Sequence, residues 1–226
     1  MIVGPRPGAT GGSVEGAFRG ARGARPPCGL AVVAVSLLSV SAVAAPDFEL
    51  IWQEPDGLTL ESRATAGTNQ PELRVRVQVA ATPRAVAEVV WSQGPGPDAS
   101  RYLERRDILL NGPNVRLEHH VVALPVLGRR EVILRYTRQD DALGSISIEY
   151  ASGGPGDGLP ADAPRMTLLR GAWHFTTVES GRVWVEFCSV SDPGGLPAIL
   201  AIGPQRLLAV ALVRDAVRRA TVPPKP

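Results

Sequence analysis

Glu118, His119 and His120 stand in a row, the densest grouping in the chain of atoms able to bind a metal or move a proton. The row lies in an alternating run, residues 114–123, that reads as a β-strand. Neighbouring strand residues project to opposite faces, so the two histidines cannot close on one ion, and no metal site is expected. There is no Gly-x-Ser-x-Gly elbow, no Cys pair and no HExxH helix, so no catalytic residue is assigned and no cofactor is expected. Cys188 shares a strand side with Trp184 and Glu186, away from the apolar set. His119 falls on the apolar side of its strand with Val115, Leu117 and Val121, and is the candidate polar contact of an interior site. In an enzymatic reading it would be the acid or base. Arg116, Glu118 and His120 take the other side, and His120 and His174 are read as outward-facing.

The elements that would position such a site begin at the end of the chain. A strand over 182–190 runs into Asp192-Pro193-Gly194-Gly195-Leu196-Pro197, a sharp reversal that opens a helix reaching Arg219. Residues 207–213 are apolar on every face, so this helix is expected to be wrapped by other structure. Leu207, Val210 and Ala211 are its candidate ligand contacts, and Gly203-Pro204 is a candidate hinge. Upstream, alternation predicts strands over 58–63, 72–79, 102–110, 114–123, 131–138, 145–151 and 166–178. A helix over 84–91 starts at the Thr82 cap and Pro83. The gaps are of hairpin length, which predicts an α+β fold built on an antiparallel meander. Trp173 and Phe175 share a side with Leu169 and Gly171 and are candidate wall residues. An oily helix gripped by such a sheet points to an enclosed apolar ligand.

Composition is consistent with one domain plus N-terminal sequence: 226 residues, 44% apolar, net charge +2. Residues 1–44 hold Arg6, Arg19, Arg22 and Arg25 against Glu15, so the rest of the chain is not basic and no nucleic-acid partner is expected. Arg19, Arg22 and Arg25 precede an uncharged run over 30–45, and Ala42-Val43-Ala44 supplies small residues for cleavage before Ala45. This is the layout of a secretory signal. The chain is therefore read as a signal over 1–44, a domain over 45–220 and a tail over 221–226, secreted or periplasmic and monomeric. Left uncleaved, the run would anchor the domain to a membrane. Cleavage removes Cys28 and leaves Cys188 alone, so no internal disulfide is expected.

Several segments, in order, resemble the START (steroidogenic acute regulatory protein-related lipid transfer) domain, in particular its bacterial members. Trp52 with Asp56-Gly57-Leu58 is similar to that family's opening Trp and "DGI" turn, and Thr82-Pro83-Arg84-Ala85-Val86 to its first-helix segment. Leu124-Pro125-Val126 with Arg129-Arg130-Glu131-Val132 resembles "PWPvsdRDvv", with Leu124 for the Trp and Glu131 for the Asp. Arg165 before Gly171-Ala172-Trp173 resembles "VR…sGxW". Val185-Glu186-Phe187, followed by Asp192-Pro193-Gly194-Gly195-Leu196-Pro197, resembles "VeY…DPGGslP". The likeness covers about residues 50–220. It implies the helix-grip fold, a curved antiparallel sheet wrapped around a long C-terminal helix, with an internal hydrophobic tunnel for a lipid or sterol-like molecule. Transient membrane contact follows from that role.

A ligand of about fifteen methylenes gains on the order of 12 kcal/mol on leaving water, and a bilayer offers nearly as much. Selectivity therefore requires one or two buried polar groups. Because family members often carry a charged pair in the tunnel, the resemblance implies Arg130 with Glu131, or Arg165, for that part. Two alternatives use the same tunnel: a cyclase- or hydrolase-like enzyme acting on the bound molecule, and a membrane-anchored lipid sensor.

Overall fold

Leu73, Val75, Val77 and Val79 are buried while Arg74, Arg76 and Gln78 between them are half-exposed, and this two-residue period organises the whole sheet. The computed structural model describes residues 47–221, apart from 97–99, 125–127, 154–162 and 195–196. The expected signal, nearly all of the tail and parts of the 124–126 and 153–164 segments lie outside the described residues.

The strands are β1 (Glu49–Gln53), β2 (Thr59–Arg63), β3 (Glu72–Val79), β4 (Leu103–Asn111), β5 (Val115–Leu124), β6 (Gly128–Asp140), β7 (Ile146–Ser152), β8 (Leu168–Val178) and β9 (Arg182–Asp192). Helix α1 (Pro83–Glu88) follows β3 and continues as a wider π-type turn, Val89–Gln93. Helix α2 (Ala198–Thr221) ends the fold. All nine strands form one antiparallel curved sheet in the order β1-β2-β3-β9-β8-β7-β6-β5-β4. The meander is broken once. β3 pairs with β9, not with β4, and α1 carries the chain across the inner face, packing on β7, β8, β9 and α2. That closure sets Val75 opposite Phe187 and Val77 opposite Val185 inside the core. On the outer face it sets Arg76 3.1 Å from Glu186. β1, which alternation did not reveal, is a short edge strand with mostly exposed residues and a register shift between Leu50 and Trp52.

Local chemistry fixes both helix starts. The Thr82 hydroxyl accepts from the Ala85 amide at 3.2 Å, and Pro83 occupies the first turn, where no N–H is needed. Pro193 and Gly194 make the reversal before α2, and the Asp192 carboxylate accepts from the Gly194 amide at 2.8 Å. Helix α2 runs unbroken through Pro204 and packs on β3, β9 and α1. The expectation that it is wrapped on every side is corrected. Val213 and Ala216 are buried, but Leu207 is 60% exposed and Ile199 82% exposed. A single sheet covers one flank of a helix, and here the other flank faces out.

Candidate functional site

Between α2 and the inner face of the sheet lies a cavity of about 170 Å³. Strand alternation decides its walls. Val132, Leu134 and Tyr136 come from β6, Tyr150 from β7, Leu169 and Trp173 from β8, and Phe187 from β9. Helix α2 contributes Leu208 and Leu212 among others. The aromatic rings make a continuous series across the strands. Tyr136 and Tyr150 have centroids 5.6 Å apart, Tyr150 and Phe187 6.2 Å, and Phe187 and Trp173 4.5 Å.

The series ends in charge. On β5 it is Arg116, Glu118, His120 and Val122 that face the cavity, so the two sides of this strand are the reverse of the expected ones. Both sides are buried, so apolarity alone could not choose between them. Arg106, opposite His120 on β4, meets the Glu118 carboxylate through two nitrogens, Nε to Oε2 at 2.9 Å and Nη2 to Oε1 at 2.5 Å. His120 Nε2 lies 2.6 Å from Oε2, and Arg116 Nε 2.5 Å from Oε1. The Arg116 guanidinium sits over Trp91 at 4.7 Å and Tyr136 at 5.2 Å, and its Nη1 donates to the Trp91 carbonyl.

A carboxylate 1% exposed is tolerated only when paired and hydrogen-bonded. Burial pushes the Glu118 carboxyl up, but the bonds from His120 and Arg106 and the charge of Arg116 outweigh it and hold the group at about 2. Burial lowers the Arg116 guanidinium, and the bond to Glu118 raises that of Arg106. At the same end, Arg219 from α2 donates to the Gly94 carbonyl at 2.6 Å.

The residues singled out from sequence fall into three places. Trp173 is in the cavity wall, and Phe175 is fully buried in the core beside it, ring centroids 6.0 Å apart. Arg130, Glu131, Arg165 and His119 come together, but none of the four lines the cavity. His119 Nε2 lies 3.3 Å from Glu131 Oε2 on the opposite side of β5. The Glu131 backbone pairs with the Pro164–Met166 segment that carries Arg165. Arg130 Nε donates to the Pro193 carbonyl at 2.9 Å, tying β6 to the turn before α2. On α2, Leu207 faces out, and Val210 and Ala211 are buried away from the cavity. Sequence alone puts Arg116, Glu118 and His120 on the side of β5 away from the cavity and singles out neither Arg106 nor Tyr136. The available signal was the alternation of Arg, Glu and His on one side of an interior strand.

A nine-stranded antiparallel curved sheet holding a long C-terminal helix over an apolar cavity is the START-type helix-grip fold. Among solved structures, the chain is similar to the STAR-related lipid transfer protein of Xanthomonas axonopodis, with TM-score 0.65 and 16% identity over 78% of this chain and 100% of that one. It is also similar to human StAR-related lipid transfer protein 5, with TM-score 0.64 and 11% identity over 80% of this chain and 88% of that one. For human STARD10 the TM-score is 0.62 and the identity 12%, over 76% and 72%. No known family's sequence profile matches the chain, and no curated protein does. At these identities the likeness establishes the fold.

Proposed function

We propose that this protein binds a hydrophobic molecule between α2 and the sheet and carries it outside the cytoplasm. The observation that carries the reading is the aromatic-walled cavity closed at one end by the Glu118 cluster. Such a site offers a lipid both an apolar wall and a polar terminus. A cavity of about 170 Å³ is close to the ~150 Å³ that accepts benzene and below the ~300 Å³ at which drug-sized sites begin. A lipid therefore needs α2 to move aside. Ile199, Leu200 and Leu207 on the outer flank of α2 would meet the membrane as it does so. Export rests on the signal-like layout of residues 1–44.

Gln205 donates to the Ser191 carbonyl at 2.8 Å, so this is where α2 can be fastened to the sheet. The test uses Ser191→Cys with Gln205→Cys in a chain carrying Cys28→Ser and Cys188→Ser. Oxidation is expected to stop transfer of a fluorescent phospholipid or fatty acid between vesicles, and reduction to restore it. Undiminished exchange after oxidation would rule out gating by α2. Mass spectrometry of a solvent extract of the purified protein is expected to show a co-purified lipid.

Catalysis on a bound molecule is the second reading, favoured by His120, which faces the cavity and is oriented by Glu118. It predicts turnover that fails in His120→Ala and survives in His119→Ala. An anchored sensor would retain residues 30–45, and N-terminal sequencing of the exported protein separates it from a carrier beginning at Ala45.

A further inference from the structure

Among the described charged side chains that line the cavity, Arg106, Arg116 and Arg219 are cationic and Glu118 alone is anionic. The innermost group, Arg106 and Arg116 around Glu118, keeps one positive charge in excess, because a single carboxylate serves two guanidiniums. We propose that the cavity selects an amphiphile with an anionic head, and that Arg106 and Arg116 receive that head. The inference rests on the ligand-binding reading above and adds the class of ligand.

Three observations converge. Arg116 is 4% exposed, and its Nε lies 2.5 Å from the Glu118 carboxylate, which holds the guanidinium in place with its remaining N–H groups buried at the cavity. Buried donors are costly to leave unmet, and a ligand oxygen in the cavity would take those that Glu118 and the Trp91 carbonyl do not. Second, a guanidinium has five N–H donors in a planar fork. Arg106 turns one edge of its fork to Glu118, and Arg116 gives one bond to the Trp91 carbonyl. Donors remain on both for a carboxylate or phosphate oxygen, the partners that fork suits best. Third, the aromatic series from Tyr136 to Trp173 leads away from the charge and offers a path for an apolar tail.

Charge sets the order of preference. An anion neutralises the excess, an alcohol leaves it in place, and a quaternary ammonium adds to it, in a site where low dielectric strengthens every such effect. Glu118 then holds the two arginines in position while competing for them.

The experiment titrates the full-length protein with laurate, dodecanol and dodecyltrimethylammonium, three heads on one twelve-carbon tail, below their aggregation limits. Laurate is expected to bind at least about tenfold tighter than dodecanol, with the ammonium weakest. Arg106→Gln should narrow the gap between laurate and dodecanol, and Glu118→Gln should widen it, provided each variant melts cooperatively by circular dichroism. The wild-type series decides the matter whether or not the variants fold. Equal affinity for laurate and dodecanol overturns charge selection and leaves the ligand-binding reading standing. Binding of none of the three, with no lipid in the solvent extract, overturns both. Displacement of laurate by an equal concentration of inorganic phosphate would reduce the site to a simple anion site and overturn the amphiphile.

Discussion

Arg106 and Glu118 are diagonal neighbours across the β4–β5 ladder, and the guanidinium grips the carboxylate through Nε at 2.9 Å and Nη2 at 2.5 Å. With Arg116 and His120 on the same carboxylate, the folded protein holds Glu118 at about 2 against an ordinary 4.5. A depressed carboxyl contributes stability above its unfolded value and loses it as pH falls through its folded one. Wild-type stability should therefore drop between about pH 4.5 and pH 2 by an amount to which Glu118 contributes on the order of 3 kcal/mol. Denaturant melts of wild type and Glu118→Gln at several pH values check this. The variant should be less stable at pH 7, and the difference should shrink as the pH approaches 2. A constant difference would contradict the assignment.

Tyr150 lies over Gly171 on the neighbouring strand. A Cβ at Gly171 would stand 2.2 Å from the Cys188 carbonyl oxygen and 2.5 Å from the Tyr150 hydroxyl. One of those neighbours is backbone of the central strand β9, which cannot step aside cheaply. Gly171→Ala should cost about 2 kcal/mol or more, read as a lower denaturant midpoint at unchanged slope.

The Cys188 thiol is pushed up to about 12 by burial and by the charges of Glu186 and Glu72. Thiolate is the reactive form, so native protein carrying Cys28→Ser should react with iodoacetamide at pH 8 far more slowly than the same chain in guanidinium. Equal rates would place the thiol in a different environment.

Leu207 and Leu208 are neighbours on α2 with opposite fates, the first on the exposed flank and the second in the cavity wall. Leu208→Trp should fill the cavity and abolish laurate binding, while Leu207→Trp should leave it within about twofold, because surface substitutions rarely disturb what lies beneath. Calorimetric titration of the two variants distinguishes this arrangement from one in which Leu207 contacts ligand.

Much of the framework was legible because single-residue chemistry set it. The alternation of Leu73, Val75, Val77 and Val79 with Arg74, Arg76 and Gln78 gave β3 its bounds, and Thr82-Pro83 gave α1 its start. β1 was not legible, since an edge strand that buries little has little pattern to show. On α2, a run apolar in every direction left no stripe from which to read the helix's rotation. Leu208 and Leu212 could not be told from Leu207, Val210 and Ala211 until the sheet supplied a side to face.

Apart from β1, the strand and helix segments were set locally, because backbone preference, capping and two-residue periodicity are properties of neighbours along the chain. That the charged side of β5 faces the cavity depends on contacts between distant segments. Arg106 lies on another strand and Trp91 in a turn before it, and without them a buried Glu118 would be too costly to keep. That pairing depends on which strands lie side by side, and the period of β5 is the same whichever face turns inward.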